Sequence, residues 1–280
     1  MFKNLSFLTA PMWSCCSLFS GSSGNSIFVS GGNTKILVDA GRPAKYIEAE
    51  LANINVEPTD IDAILVTHEH TDHMQGVGPM ARRYRIPVYT NEPTWNAMLP
   101  RLGNVAKVVN HVFVTGASFA IGDVRIISFA TPHDSAESVG FVIETEKGRI
   151  AVCTDLGEMT DDILASLSDA QLVFLEANYD EQMLLSGPYP WHLKQRIRGG
   201  RGHLSNDCTM EAATRLTEAG VDSIILSHLS KENNFPMLAE LTVRQGLEAQ
   251  GIDVDTDLSL HVAPRYHCGQ MLRYQSGRWG

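Results

Sequence analysis

His68-Glu69-His70-Thr71-Asp72-His73 sets three imidazoles and, at Asp72, a carboxylate within six residues, directly after the apolar run Ile64-Leu65-Val66. Imidazole together with carboxylate is a donor set for zinc, manganese or iron. Side chains of an extended segment repeat every second residue, so His68 and His70 face the same way. Asp72 and His73 fall where a turn begins and can face a second position. One loop at a strand end can thus serve two cations. The whole chain holds 10 His in 280 residues, so three in six is dense for an ordinary polar surface loop.

Outward from this loop, strands and helices alternate in clusters. Ile27-Phe28-Val29 and Lys35-Ile36-Leu37-Val38 flank Gly31-Gly32-Asn33 and read as a hairpin. A Gly/Ser turn, Gly21 to Asn25, precedes them. Helical spacing appears at Pro43 to Asn53, where Ile47 and Leu51 stand four apart, and a helix is expected at Met74 to Tyr84. Strands are expected at Val88-Tyr89, Val124 to Ile127, Gly140 to Thr145, Arg149 to Cys153 and Leu172 to Leu175, with a hairpin turn at Glu146-Lys147-Gly148. Then come a helix at Ser205 to Glu218 with Ser205 as N-cap, a strand at Ser223 to Leu226, a helix at Met237 to Gln250 and a last strand at Leu258 to Val262. This order predicts an α/β (α+β) domain over residues 1–280, two sheets faced by helices in a four-layer αββα sandwich.

Bulk properties narrow the class. At 44% hydrophobic and 19% charged the chain can build a core and is not a disordered acidic tail. A net charge of −10 argues against broad non-specific nucleic-acid binding, though not against a local basic groove. The five cysteines, Cys15, Cys16, Cys153, Cys208 and Cys268, are odd in number and form no CxxC, which suits a reducing, cytoplasmic setting. Phe2 to Leu8 is apolar but short, with polar interruptions and no convincing cleavage site, and no run reaches the length of a membrane span.

The HxHxDH pattern resembles the signature of the metallo-β-lactamase superfamily, and the likeness extends over nearly the whole chain. That family continues with a His, an Asp and a final His, each at a strand end. Here His133 follows Ile126 to Phe129, Asp155 follows Ile150 to Cys153, and His228 follows Ile224 to Ser227. The resemblance implies that His68, His70 and His133 hold one divalent ion, that Asp72, His73 and His228 hold another, and that Asp155 bridges them. It implies zinc or manganese as the pair. Asp39, in Leu37-Val38-Asp39-Ala40-Gly41, matches a family position that supports the His loop; a plain turn Asp before Gly41 is the other reading.

Two such cations lower the pKa of a shared water and polarise the scissile group, so the implied reaction is hydrolysis. Three features lean toward a phosphodiester. Glu176 and His203 stand outside the ligand set in contexts similar to those of tRNA 3′-processing nucleases, where a Glu–His pair protonates the leaving oxygen; Asp72 is the further catalytic candidate, in the loop itself. Lys194, Arg196, Arg198 and Arg201 lie just ahead of His203, where phosphates could be positioned or where a helix merely faces solvent. Thirdly, Cys16 to Ser26, Gly202 to Asn206 and Ser227 to Asn234 resemble the WalJ/YycJ family of bacterial nucleases, associated with 5′-to-3′ exonuclease activity on double-stranded DNA. Lys231 and Asn233 then follow a metal ligand closely and could touch a phosphate.

Several readings stay open at this level. A glyoxalase-II-like thioesterase shares all seven ligands, although its usual helical C-terminal domain does not fit the sequence after His228. A tRNA-processing-like endoribonuclease shares the chemistry, but no Gly/Pro-rich arm is visible. A metal-binding interaction module without catalysis should have lost a ligand, and none is missing. The 72 residues between Asp155 and His228 leave no room for a β-CASP insertion. The expected partner is nucleic acid, DNA before RNA, with no membrane involved.

Overall fold

In the strand Thr34–Val38, Ile36 and Val38 point one way and Leu37 the other, and all three are buried. In the strand Leu172–Glu176, Leu172 and Phe174 face opposite to Val173 and Leu175, and again all are buried. Strands buried on both faces lie between layers, and the computed structural model, which describes residues 13–145, 148–275 and 278–279, bears this out. The N-terminal segment Phe2 to Leu8 and the expected turn residues Glu146 and Lys147 lie outside the described residues.

The first sheet is built from β1 (Ser14–Phe19), β2 (Ser26–Gly31), β3 (Thr34–Val38), β4 (Ala63–Leu65), β5 (Val88–Asn91) and β6 (Asn110–Phe113). The second holds β7 (Ser118–Ile121), β8 (Val124–Ala130), β9 (Val139–Thr145), β10 (Gly148–Cys153), β11 (Leu172–Glu176), β12 (Ser223–Ser227) and β13 (Ser259–Val262). The chain then returns: β14 (Leu272–Gln275) pairs antiparallel with β1, and β15 (Arg278–Trp279) pairs with β14, giving eight strands facing seven. Leu258 to Val262 is therefore not the last strand, as its sequence position suggested. The β14 segment Leu272-Arg273-Tyr274-Gln275 carries a single aliphatic residue, too weak an alternation to be read unaided.

Between the sheets lie Val29, Ile36, Val38 and Leu65 from one side and Phe141, Ile150, Val152 and Phe174 from the other. The outer face of the first sheet packs Phe28, Leu37 and Ile64 on α1 (Ala44–Asn53), α2 (Thr71–Met74), α3 (Val77–Tyr84) and α4 (Glu92–Met98). The outer face of the second packs Val173, Leu175 and Leu226 on α5 (Asp161–Leu167) and, after α6 (Glu181–Ser186) and α7 (Trp191–Arg198), on α8 (Asn206–Glu218) and α9 (Pro236–Ala249). This is the four-layer αββα sandwich. Ser205 caps α8 as expected, its Oγ accepting from the Cys208 N–H at 3.1 Å. The helix expected at Met74 to Tyr84 is instead two helices broken at Gly76. A Cβ there would lie 2.3 Å from the Arg42 carbonyl oxygen, so the chain crosses Arg42 only where no side chain intervenes.

The parallel strands β3 to β6 and β10 to β13 end at one rim of the sandwich. Phe174 sits mid-layer with no exposed surface. Phe174→Ala should lower stability by about 3–5 kcal/mol, read as a lower denaturant midpoint; an unchanged midpoint would mean that the two sheets re-close over the cavity.

Candidate metal centre

Each ligating candidate sits at or beyond the end of a strand. The His68 to His73 loop leaves β4, His133 follows β8, Asp155 follows β10, and His228 follows β12. Asp39 follows β3 and Glu176 ends β11. Open sheets present loops and ligands at the carboxyl ends of their parallel strands, and here two sheets do so side by side. Three of these residues, Asp39, Asp155 and His228, take φ of 62°, 60° and 56°. A left-handed conformation at a non-glycine residue costs free energy and turns the chain sharply. At each of the three it ends the strand and aims a polar side chain into the cleft.

The side chains that the family resemblance singled out lie together. His68, His70 and His133 form one cluster, and Asp72, His73 and His228 a second. Asp155 reaches both: its Oδ2 is 3.2 Å from His73 Nε2, and its Oδ1 is 3.9 Å from His133 Nε2. Donors about 2.1 Å from a tetrahedral ion stand about 3.4 Å apart. The gaps here are of that size: 3.4 Å from His133 Nε2 to His70 Nδ1, and 3.7 and 3.6 Å from Asp72 Oδ2 to the Nε2 atoms of His73 and His228. His68 Nε2, His228 Nε2 and Asp155 Oδ2 are buried with no hydrogen-bond partner. Buried polar atoms are otherwise almost always satisfied. Three orphans aimed at shared points fit cations.

The other ring nitrogens are fixed from behind. His73 Nδ1 lies 2.7 Å from Asp39 Oδ2, His68 Nδ1 3.0 Å from Thr67 Oγ1, His133 Nδ1 3.0 Å from the Gly202 carbonyl, and His228 Nδ1 2.8 Å from Glu176 Oε1. Each contact leaves Nε2 facing the cleft. Asp39 also accepts from the Thr67 N–H and hydroxyl, both at 2.8 Å. It supports the loop and is not merely a turn residue.

Electrostatics agree with a site built for positive charge. Burial, with the neighbouring imidazoles, drives His68 well below its ordinary range, and burial also lowers His133. Their lone pairs are thus available. Burial opposes charge on His73, but Asp155, Asp39 and Asp72 outweigh it and raise it to about 9. His228 is likewise raised against burial by Asp155, Asp72 and Glu176. Asp72 is lowered despite its own burial, chiefly by His73 and His228.

Glu176 and His203 meet beside this centre. His203 Nδ1 is 2.8 Å from Glu176 Oε1 and 3.9 Å from Asp155 Oδ1. The sequence did not disclose that Glu176 also holds His228, nor that its Oε2 accepts from the Leu156 and Leu204 N–H groups at 3.0 and 3.2 Å. Its carboxylate is fully buried and stays ionised against that burial, first because of His203 and then His228. His203 is partly open to solvent.

The four cations of the basic stretch each meet a partner within the protein, and Arg196 also lines the cavity beside His203. Lys194 is buried, and its Nζ donates to the Leu185 and Gly187 carbonyls at 2.6 and 2.7 Å, which corrects its reading as a phosphate contact. Arg196 is paired with Asp134 and Arg198 with Glu181. Arg201 donates from Nε and Nη2 to the His133 carbonyl at 3.0 and 2.7 Å and so braces the His133 loop. Asn233 is fully buried, with its backbone N–H and Nδ2 directed at Ser230 Oγ, and is likewise corrected: it shapes the turn after His228. Lys231 is exposed, 3.7 Å from Glu232.

Sequence reasoning passed over Thr67 and Asn25. Asn25 Oδ1 accepts from the Gly21 N–H at 2.8 Å, and its Nδ2 stands 3.0 Å from His73 Nε2. The Gly/Ser turn therefore reaches the candidate centre through the Asn25 side chain, and the Asn25 N–H also donates to the Asp72 carbonyl at 2.7 Å. Ser20, immediately before this turn, accepts at its Oγ from the His228 N–H at 2.8 Å.

A family profile described as a beta-lactamase superfamily domain matches residues 34–229, and the chain belongs to that family. Within it, the chain is 41% identical over 246 residues to the exodeoxyribonuclease WalJ of Streptococcus pneumoniae, covering 87% of this chain and 91% of that one. It is 37% identical to the exodeoxyribonuclease YycJ of Bacillus anthracis, covering 87% and 92%. Among solved structures, the metallo-beta-lactamase fold protein YhfI from Bacillus subtilis superposes with a TM-score of 0.71 at 15% identity, over 92% of this chain and 99% of that one. That last likeness is one of fold.

Gly41 tests the build of the loop. A Cβ on it would sit 1.6 Å from the Asp72 carbonyl oxygen, so the backbone of the His loop rests directly on this residue. Gly41→Ala should leave a folded protein by circular dichroism and a metal content, by elemental analysis, well below that of the wild type. Full occupancy would show that the loop can shift without losing its ligands.

Proposed function

We propose that the protein is a dinuclear metal-dependent phosphodiesterase that digests double-stranded DNA from a 5′ end. The observation that carries this reading is the Glu176–His203 pair held against the ligand cluster. A thiolate leaves readily at neutral pH, its conjugate acid having a pKa of about 8.5. An alkoxide does not, and needs a proton as the bond breaks. A thioesterase therefore has little use for a dedicated proton donor, whereas a phosphodiesterase has much. The sequence likeness to two exodeoxyribonucleases supports DNA as the polymer. Among the described residues no helix is long and apolar enough to cross a membrane.

His68, His70 and His133 would hold one divalent ion and Asp72, His73 and His228 the other, with Asp155 between them; zinc or manganese suits these donors. When bound, the pair would lower the pKa of a shared water and draw charge from the phosphoryl oxygen. The chain's own part is geometry and proton supply. Glu176 turns His203 so that Nδ1 faces the carboxylate, which leaves Nε2 to face the substrate. So placed, His203 can hand a proton to the leaving oxygen. Because the same carboxylate anchors His228, proton supply and ligand geometry share one support. Asp39 and Thr67 hold the opposite side of the cluster.

Duplex DNA labelled at the 5′ or the 3′ end, offered with manganese or zinc alongside a thioester, tests the reading. Release of mononucleotide from the 5′ label is expected, with Asp72→Ala inactive and poorer in metal. Cleavage of the thioester with intact DNA would replace the proposal with a thioesterase.

The two members of the proton-supply pair should separate. His203→Ala should keep its metal content and lose about 10²–10⁴-fold in turnover on DNA. Glu176→Ala should lose activity and metal together, since it strips His228 of its partner. Equal metal content in both variants would refute the shared support.

A further inference from the structure

A cavity of about 180 Å3 opens beside His203 and is not used by the chemistry described so far. Tyr189, Leu193 and Ile197 give it an apolar side; Ser22, Asn178 and Ser230 give it a polar one, and the Arg196–Asp134 ion pair completes the lining. An aromatic ring with aliphatic neighbours on one side, and hydroxyls with an amide on the other, is a donor set for a nucleoside, with its base against the ring and its sugar and phosphate oxygens on the hydroxyls.

Its walls are held in place. The Lys194 ammonium binds the carbonyls of Leu185 and Gly187, which ties the segment leading to Tyr189 onto α7, the helix that carries Leu193 and Ile197. Opposite, the Ser230 N–H donates to the Asn178 carbonyl at 2.7 Å, and the Asn178 Nδ2 donates to the His228 carbonyl at 2.8 Å. The polar wall is thus continuous with a metal-binding residue.

We propose that this cavity seats the 5′-terminal nucleotide that each turnover releases; the inference rests on the exonuclease reading above. Its place beside the proton donor fixes which fragment it holds. In the reaction, the oxygen of a water bonds to phosphorus, and the bond from phosphorus to the 3′ oxygen of the end nucleotide breaks. That oxygen takes the proton of His203, the water's own proton passes to solvent, and the shortened strand keeps the phosphate as its new 5′ end. The fragment next to His203 is therefore the one bearing the leaving 3′ oxygen. Digestion from the other end would place the remaining polymer on this side. A cavity of this volume, open to solvent, has room for a ring and part of a sugar.

Filling the cavity with Leu193→Trp, and opening it with Tyr189→Ala, tests this in the metal-loaded protein. Both variants are compared with the wild type on 5′-labelled duplex DNA and on bis(p-nitrophenyl) phosphate, whose small leaving group needs neither a base site nor a proton donor. The expected result is that kcat/KM on DNA falls at least tenfold more than on the small diester in each variant. Metal content should match the wild type. Equal losses on the two substrates, or wild-type digestion of DNA by Leu193→Trp, would overturn the assignment while leaving the nuclease reading intact. If the wild type hydrolyses the small diester but no DNA, the nuclease reading itself fails and the cavity assignment falls with it. Should Leu193→Trp not fold, Tyr189→Ala decides alone, since truncation of a half-exposed loop side chain adds no bulk.

Discussion

His68 Nε2, His228 Nε2 and Asp155 Oδ2 are buried without a hydrogen-bond partner, a few ångströms from one another's clusters. The rest of the structure depends on that constraint. An unsatisfied buried polar group costs about 1–3 kcal/mol, more when charged, and folding the bare site brings carboxylates and imidazoles together at once. The surrounding carboxylates raise the proton affinity of His73 and His228 against their burial, which offsets part of the cost. Divalent ions relieve it better, because each meets several lone pairs together. The scaffold must hold the donors still in the meantime, and the surrounding elements do so.

Four of the five rings, all but His70, are held from the far side. Asp39, Thr67, Glu176 and the Gly202 carbonyl each take an Nδ1. The residues so engaged come from both sheets, so the ring orientations are set by the packing of the sandwich as a whole. The left-handed turns at Asp39, Asp155 and His228 belong to the same construction. Strain at these strand ends persists because the core behind them is closed on both faces. A loop in such a position could not be rebuilt by local sequence alone.

This explains which parts were legible in the sequence. The donors were visible because imidazoles at HxHxDH spacing have few other uses, and the strand-end positions of His133, Asp155 and His228 follow from the apolar runs before them. The core strands were visible where both faces are apolar, as in β3, β4 and β11. β14 was not, because its place beside β1 depends on a partner more than 250 residues away in sequence. Lys194 was misjudged for a related reason. Its charge suggests solvent, but two backbone carbonyls freed at the end of α6 give the ammonium a buried seat. Asn233 is the same case with an amide. Polar residues disclose their chemistry in a sequence, but not which partner they satisfy.

The fate of the basic residues alters how a polyanion would be held. Arg196, Arg198 and Arg201 each have a partner within the protein, and the net charge of the chain is −10. A DNA-binding protein that relies on surface cations pulls its substrate in by displacing counterions, with affinity falling steeply in salt. Little on this surface is arranged for that. The positive charge that a phosphate would meet is concentrated in the cleft, where bound cations would lie, and the cavity beside it carries one arginine, Arg196, already paired with Asp134. Recognition of a strand end through a cavity needs fit to one nucleotide, while recognition of a duplex body needs a long charged track. Arg196, Arg198 and Arg201, each engaged within the protein beside a cleft that concentrates positive charge, therefore suit an enzyme that takes hold of an end.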